Sequence, residues 1–315
     1  MHPKLSVLIP VYNREKVIKQ TIESVLKQSF SDYEIICVDN NSTDDTFKII
    51  QEIAAHESRL KVYKNKINFG PVSNWKICLD YAQGAYIHFL WSDDWVEKNF
   101  YEDAFNLMEK DKTEIISSWT YRFHDDNKFL SWRNSNKKIP GIAASKKILM
   151  LTNELPVSPA AYIIPTKLVR RNFYDNIPSL WRYDPVKSGV GVDSLIIAGS
   201  CLNQKEISIL QKPSINFRVH DNISTELSKD GSLKRMYLIS HMWFINKKNV
   251  PLCIDNVLYL ATKYALYFRP LLLNKKVIYF FVNFIKKLKI AAPVDVLNIR
   301  YFSRKAQFTN SNANE

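Results

Sequence analysis

The order of apolar and amphipathic segments in the first 95 residues is the strongest constraint on the fold. Four apolar runs suited to β-strands occur at residues 5–10, 34–39, 60–64 and 86–90, and segments with helical periodicity separate them. Strands that alternate with helices form parallel sheets, because each crossover helix packs against a face of the sheet. We therefore predict an α/β fold with a doubly wound sheet.

Acidic side chains follow two of these predicted strands. Asp39 ends the second strand, and Asp93 and Asp94 follow the fourth. Ligands of open α/β sheets bind at the carboxyl ends of the strands, and paired carboxylates there suit Mg²⁺ or Mn²⁺. Aspartate also commonly caps a helix or stabilises a turn. The sequence alone leaves both roles open for each of the three residues.

The second half of the chain has weaker patterns. They predict a hairpin at residues 121–133, and short separate strands at 207–210 and 215–219. Asp193 precedes an apolar helix, where it could act as a general base or only cap the helix. Arg218 suits phosphate oxygens, and His220 suits a phosphate or a metal, although a lone histidine is as often structural.

The formal net charge of +13 is concentrated near the end of the chain. Residues 226–315 contain 15 Lys and Arg against 5 Asp and Glu, which accounts for +10 of the total. Between residues 257 and 290, lysines alternate with Phe and Tyr, as in helices that lie on anionic membranes. A helical subdomain with solvated lysines explains the pattern equally well. No nucleic-acid motif accompanies the charge, so we expect no nucleic-acid partner.

The cysteines and the amino terminus bear on where the protein works. The four cysteines lie far apart without metal-ligand spacing, which favours reduced thiols. The first residues lack the apolar region of a signal peptide, and no run of about 20 uncharged apolar residues occurs. We expect a cytoplasmic protein, peripheral at the inner face of the cell membrane through residues 257–290.

Three segments resemble, in order and spacing, motifs of the family 2 glycosyltransferases, which have the GT-A fold. The segments are SVLIPVYNRE followed by VDNNSTDD, NFGPVSNW, and GAYIHFLWSDDW. Weaker likeness continues in GVDSLI and NFRVHDNIS, so the resemblance covers roughly residues 4–225. It implies transfer of a sugar, with inversion, from a nucleotide-diphosphate sugar, and a UDP-sugar is favoured. The implied product is a bacterial surface glycan such as capsule, O-antigen or lipooligosaccharide, often built on a lipid-linked acceptor.

The resemblance also implies roles for matching residues. Asp193 would be the general base that takes the proton of the acceptor hydroxyl. Mn²⁺ or Mg²⁺ would be held by Asp93, Asp94 and His220. The residues that would bind the donor are Pro10, Val11, Tyr12, Asn13, Asp39, Asn68, Ser92, Asp93, Arg218 and His220.

Two positions depart from the family pattern. Trp91 stands where many members have the first aspartate of Asp-Ser-Asp-Asp, and Val192 stands where they usually have glutamate. The missing acid at position 91 makes a non-catalytic sugar-nucleotide-binding protein one alternative. A polyprenyl-phosphate glycosyltransferase is another, although it needs less acceptor room than the hairpin around Trp132 suggests. The lack of glycine before Gly70 disfavours a nucleotidyltransferase, which normally begins with a glycine-rich loop.

We predict two domains from these patterns. Residues 1–225 would form the GT-A catalytic domain, with a nucleotide-sugar-binding half at 1–110 and an acceptor half at 111–225. Residues 226–315 would form a basic, aromatic and mainly helical C-terminal region with a frayed tail. Aromatic residues at 119–132 and 181–183 are expected on the acceptor side, because aromatic rings stack on sugar faces.

Overall fold

The computed structural model describes residues 2–124, 127–179, 184–219 and 232–252, together with 256, 259, 260 and 262. The chain forms two units, Met1–His241 and Met242–Glu315. The predicted domain limits at 110 and 225 stay predictions. The strands are β1 Leu5–Val11, β2 Tyr33–Asp39, β3 Leu60–Lys64, β4 Tyr86–Phe89, β5 Trp95–Val96, β6 Ile116–His124, β7 Asn127–Leu130, β8 Lys138–Pro140, β9 Tyr162–Pro165 and β10 Glu206–Arg218.

The helices follow the predicted alternation in the first half and are α1 Ile18–Leu26, α2 Thr46–Ala54, α3 Pro71–Tyr81, α4 Phe100–Asp111, α5 Gly141–Met150, α6 Thr166–Arg171, α7 Pro185–Ser188, α8 Val192–Leu202 and α9 Ser232–Lys248. A short 3₁₀ helix spans Pro159–Ala161. In the part of the chain that the structure describes, no helix is both long and apolar enough to span a bilayer.

The described strands form one mixed sheet in the order β3-β2-β1-β4-β9-β6-β10-β5, with β7 beside β6 and β8 beside β10. The pairs among β1, β2, β3 and β4 are parallel, and those of β9 with β4 and β6 are antiparallel. Every residue of β1 and β2 is buried, as expected for parallel strands with both faces covered. The predicted α/β fold is confirmed.

The strand order reverses beside β1. The chain runs from β1 outward to β2 and β3, and then returns to place β4 on the other side of β1. The carboxyl ends of β1 and β4 therefore border a crevice of the kind in which open α/β sheets bind ligands. The segments that follow these two strands contain Asn13 and the Asp93-Asp94 pair.

The second half confirms one prediction and corrects another. The hairpin exists as β6 and β7, which pair from Tyr121 with Leu130 to His124 with Asn127. The two short strands predicted at 207–210 and 215–219 are wrong, because one continuous strand, β10, covers both. Its pairing with β6 shifts register on either side of Pro213. Proline has no N–H to donate to the ladder, so the strand bulges there without ending.

His88 in β4 is a buried structural residue. Its Nε2 lies 2.7 Å from the carbonyl oxygen of Ala160, to which it donates, and its Nδ1 lies 2.9 Å from the hydroxyl of Tyr101. Burial lowers the pKa of His88 to about 4, so the ring is neutral near pH 7. The side chain thereby joins β4 to α4 and to the 3₁₀ helix.

We expect His88→Leu to lower the free energy of unfolding by about 3 kcal/mol, because the Tyr101 hydroxyl and the Ala160 carbonyl stay buried without their partner. Urea denaturation followed by circular dichroism measures this change. The matched control is His56→Leu at an exposed position, for which a change within about 0.5 kcal/mol is expected. Equal stability of the two variants would contradict the assigned role.

Candidate active site

Hydrogen bonds of Asn13 join the loop that follows β1 to the loop that follows β2. The Asn13 φ of 49° lies in the left-handed region, which asparagine tolerates better than most residues. The Asn13 backbone N–H donates to the hydroxyl of Ser42 at 2.9 Å, and its side-chain oxygen accepts the N–H of Thr43 at 2.9 Å. These bonds hold the rim of the crevice in one shape.

The other donor-binding candidates on β1 differ in exposure. Pro10 and Val11 are buried and pair with Val38 and Asp39 of β2. Tyr12, directly after the strand, is 40% exposed. Within this group, the Tyr12 side chain is accessible, whereas Pro10 and Val11 support the rim from inside. Contact of the three residues with a donor stays a prediction.

Asp39 ends β2 and is fully buried. Its carboxylate accepts the backbone N–H of Ser42 at 3.0 Å and also the hydroxyl of Ser42. The structure thus contains the turn that was one of the two roles open for Asp39. Its contact with a nucleotide base stays a prediction, and it requires the loop at Ser42 to make room.

Asn68 belongs to a network of amide side chains that sequence reasoning missed. Its oxygen accepts from the side chain of Asn40 at 2.7 Å and from the N–H of Gly70 at 2.9 Å. Asn65 donates to Asn40 and to Asn74, each at 2.9 Å. The amides fix the loop between β3 and α3, so Asn68 has a supporting role whether or not it also touches a donor. The available signal was the number of asparagines in predicted turns.

Asp93 and Asp94 form a tight turn after β4. The N–H of Asp94 donates to the carbonyl of Trp91 at 3.0 Å, and Ser92 is buried with its carbonyl bonded to Thr21 at 3.1 Å. Asp94 is 3% exposed, and one of its oxygens accepts the backbone N–H of Arg218 at 3.0 Å. Burial and then the neighbouring Asp93 raise the pKa of Asp94 well above its ordinary value.

Two guanidinium groups flank this turn. The Nε of Arg14 lies 3.5 Å from a carboxylate oxygen of Asp93. The Nε of Arg218 donates to the backbone carbonyl of Asp93 at 3.1 Å, and its guanidinium lies over the ring of Trp95. Sequence reasoning singled out Arg218 but missed Arg14. The signal for Arg14 was its place three residues after the end of a central strand.

Trp91 fills space where the family often has an acid. Its indole N–H donates to the hydroxyl of Ser158 at 2.8 Å, and its ring centre lies 4.9 Å from that of Trp75. Trp75 in turn packs on Gly189, where a β-carbon would lie 2.7 Å from the indole. Gly189 has a φ of 78°, so both its conformation and the contact require glycine. The two indoles thus connect the Asp93-Asp94 turn with the segment that leads to α8.

Asp193 lies in the first turn of α8 and makes three hydrogen bonds. One oxygen accepts the N–H groups of Gly191 and Ser194 at 3.1 and 2.8 Å, and the other accepts the hydroxyl of Tyr237 at 3.3 Å. Desolvation raises the pKa of Asp193 to about 7, against the effect of these bonds. The carboxyl therefore stabilises the helix start and also has the proton affinity that suits a general base near neutral pH.

The sequence matches the family model described as glycosyl transferase family 2 over residues 6–177. This chain belongs to family 2 of the glycosyltransferases. It is 35% identical over 150 residues to an uncharacterized glycosyltransferase of Haemophilus influenzae, which covers 48% of this chain and 56% of that protein. It is 40% identical over 94 residues to the GalNAc(5)-diNAcBac-PP-undecaprenol beta-1,3-glucosyltransferase of Campylobacter jejuni, which covers 29% of this chain and 30% of that protein. These matches span little more than half, and less than a third, of the two relatives.

The fold of this glycosyltransferase is also that of a solved structure. The crystal structure of Staphylococcus aureus TarS 1–349 in complex with UDP-GlcNAc superposes with a TM-score of 0.65, at 20% identity, over 90% of this chain and 81% of that one. At this identity the likeness shows the fold and no more. The predicted GT-A fold and the prediction of a glycosyltransferase are confirmed.

The carboxylate oxygens at the Asp93-Asp94 turn are of the type that binds a divalent cation, and metal binding there stays a prediction. Mg²⁺ in enzymes commonly binds one or two carboxylates together with substrate phosphates. One oxygen of Asp94 accepts the backbone N–H of Arg218, and the carboxylate of Asp93 lies beside the guanidinium of Arg14. Within the described residues, no cluster of three or more His, Cys, Asp or Glu side chains is placed to hold a metal.

Several predicted features lie outside the described residues. They are His220, the aromatic residues at 181–183, and most of the basic segment at 257–290. The roles assigned to them from the sequence stay predictions, including the peripheral membrane contact.

Proposed function

We propose that this glycosyltransferase moves a sugar from a UDP-sugar to a hydroxyl group of a surface glycan and inverts the anomeric carbon. One observation carries the proposal. An acidic turn follows Trp91 at the β1–β4 crevice, and Trp91 contacts Trp75, which packs on Gly189. Gly189 lies four residues before Asp193, a separate carboxyl with a raised pKa. Inverting transfer needs these two centres, one for the leaving diphosphate and one for the incoming hydroxyl.

The described residues divide the chemistry between them. Asp93, with Asp94, would hold Mg²⁺ or Mn²⁺, which when bound neutralises charge on the leaving diphosphate. Arg14 and Arg218 add positive charge at the same turn. Asp193 takes the proton from the acceptor hydroxyl while that oxygen forms a bond to the anomeric carbon. The bond from that carbon to the diphosphate oxygen breaks on the opposite face, so the products are the inverted glycoside and UDP.

The similar proteins support the choice of donor and acceptor. The TarS structure contains UDP-GlcNAc. The Campylobacter relative is named for an undecaprenol-diphosphate-linked glycan. We propose a UDP-sugar donor and a glycan acceptor, lipid-linked in the growing chain, at the cytoplasmic face of the membrane.

A member of the same family that binds the sugar nucleotide but has lost turnover is the second candidate. It is favoured by Trp91, which contributes packing where the family often supplies a carboxylate, and by the engagement of Asp39 with Ser42. The two candidates differ in turnover and agree in donor binding.

A panel of UDP-sugars, assayed with Mn²⁺, with Mg²⁺ and with EDTA, separates them. We expect transfer or slow donor hydrolysis with one UDP-sugar, and a loss of about 100-fold or more in EDTA, since the cation supplies several kcal/mol to departure of the diphosphate. Proton NMR of the product reports the anomeric configuration, which we expect to be inverted. Donor binding measured by calorimetry without any release of UDP would instead favour the binding protein. Full activity in EDTA would contradict the proposed role of the metal ion.

A further inference from the structure

Part of α9 packs on the turn that carries Asp193. Within the first unit, this face of α9 consists of Tyr237, Ser240 and His241, whose spacing of three and four residues places them side by side on a helix. Tyr237 contacts Asp193, and His241 contacts Ser194. Ser240 packs closely against the backbone of Gly191, because a β-carbon at Gly191 would lie 2.6 Å from the hydroxyl oxygen of Ser240. The sequence gives no motif for this contact.

His241 anchors this face of α9. It is fully buried, and its Nδ1 lies 2.9 Å from the carbonyl oxygen of Leu149, next to the end of α5. Its Nε2 lies 2.6 Å from the hydroxyl oxygen of Ser194 in α8. Its ring meets the edge of Tyr237 at a centroid distance of 5.6 Å. The histidine thereby fixes Tyr237 relative to the first turn of α8.

We propose that Tyr237 and His241 are positioning residues for Asp193, with the tyrosine hydroxyl orienting the carboxylate and the histidine holding the tyrosine. This inference rests on the proposed function, in which Asp193 is the general base. It assigns to α9 a part in catalysis that is separate from any membrane contact of the later residues.

The electrostatics of the site follow from its neighbours. A hydroxyl that donates to an ionised carboxylate favours the charged form, so Tyr237 lowers the pKa of Asp193 against the larger effect of desolvation. The helices α5 and α6 and the 3₁₀ helix also pack on α8. The largest causes of the pKa shift of Asp193 are its burial and its hydrogen bonds from Ser194, Tyr237 and Gly191. Among the described titratable groups, Tyr237 donates a hydrogen bond to the carboxylate of Asp193. His241 contacts Tyr237 and also Ser194, the residue after Asp193.

Tyr237→Phe tests the proposal, because it removes the hydroxyl and keeps the ring. The acid limb of the profile of kcat/KM against pH should move upward by about one pH unit, which is the size expected for one hydrogen bond to a charged group. The value of kcat/KM then falls about tenfold near pH 6 and recovers near pH 9. The KM for the donor should not change. Tyr81→Phe, at a tyrosine that is 43% exposed, is the matched control.

A second readout does not need turnover. The pKa of the Asp193 carboxyl can be followed by ¹³C NMR of protein labelled at aspartate, with the signal assigned by its loss in Asp193→Asn. We expect this pKa to rise in Tyr237→Phe and to stay the same in Tyr81→Phe. His241→Gln should keep a profile of kcat/KM against pH closer to that of the wild type than His241→Leu does, since glutamine can still donate to the Leu149 carbonyl.

The outcomes distinguish the inference from the proposed function. An unchanged pH profile and an unchanged pKa in folded Tyr237→Phe would overturn the positioning role while leaving the transferase proposal intact. A uniform loss of activity at all pH values together with a lower Tm would show a merely structural tyrosine and would also overturn it. Absence of transfer by the wild-type protein would refute the proposed function, and the NMR titration would still report on Tyr237.

Discussion

Asp193→Asn is expected to lower kcat by about a thousandfold, which lies within the range for loss of a general base. The substitution should leave donor affinity within about twofold, because the acceptor proton is the group affected. Asparagine can keep the local structure. Its oxygen can accept the N–H groups of Gly191 and Ser194, and its amide can donate to the oxygen of Tyr237. Turnover with labelled donor and calorimetric donor binding measure the two quantities.

The stability of the same variant separates a base from a simple helix cap. The folded pKa of about 7 exceeds the ordinary 3.8 of the carboxyl, so the folded state binds more protons between these values. Stability from this group is therefore complete below pH 4 and is lost as pH rises toward 7. Asparagine carries no charge, so the variant avoids the cost of ionising a buried carboxyl. We therefore expect its free energy of unfolding to be higher than that of the wild type by about 1–3 kcal/mol at pH 8, allowing for partial solvent screening.

Asp184→Asn is the control for this experiment. Asp184 caps α7 by accepting the N–H of Lys187 at 2.9 Å, and asparagine caps as well as aspartate. Its activity and stability should both stay near wild type. If Asp193→Asn retains wild-type turnover, Asp193 is not the base. If it loses stability and activity together at pH 8, the capping role alone explains it.

The first half of the fold could be predicted because its physical signals are local. Strands β1 and β2 are buried at every residue, so their sequences are mostly apolar and stand out between amphipathic segments. In β10 the sequence pattern led to a wrong prediction of two strands, because Pro213 and its polar neighbours resemble the end of a strand. Only the partner strand β6 shows that pairing resumes beyond the bulge.

The candidate site likewise contains local contacts that the sequence could predict and long-range contacts that it could not. The turn between Asp39 and Ser42 involves residues three apart, so the sequence was sufficient to raise it as an alternative. The ion pair of Arg14 with Asp93 joins residues far apart in the chain, as does the bond of Tyr237 to Asp193. Such contacts depend on the path of the backbone through the sheet and on where α9 packs. No single segment of sequence contains them.

Asp93→Asn is the second variant with a large expected effect. The carboxylate lies at the mouth of the β1–β4 crevice with 15% of its side chain exposed, beside the guanidinium of Arg14. An amide is a weaker ligand for a hard cation and carries no charge. We expect metal-dependent transfer to fall by about a thousandfold, equivalent to several kcal/mol of stabilisation at the leaving diphosphate. We also expect Mn²⁺ affinity, measured by electron paramagnetic resonance, to fall by about tenfold or more.

Asp103→Asn is the matched control for loss of charge. Asp103 forms a surface ion pair with Lys212 at 2.7 Å, and such pairs contribute little to stability. Mn²⁺ affinity and turnover should both stay close to wild type in this variant. Wild-type Mn²⁺ binding by Asp93→Asn would contradict the proposed ligand.

Arg14→Gln distinguishes a metal ligand from a partner of arginine. The Nε of Arg14 is buried and makes no hydrogen bond among the described residues, although it lies 3.5 Å from the Asp93 carboxylate. A cation that binds Asp93 competes with this guanidinium. If Asp93 holds the metal, Arg14→Gln should bind Mn²⁺ at least as tightly as wild type in the absence of donor, while Asp93→Asn binds it weakly. If Asp93 serves only to hold Arg14, the two variants should lose activity to the same extent with Mn²⁺ affinity unchanged, and the opposite responses expected here would not occur.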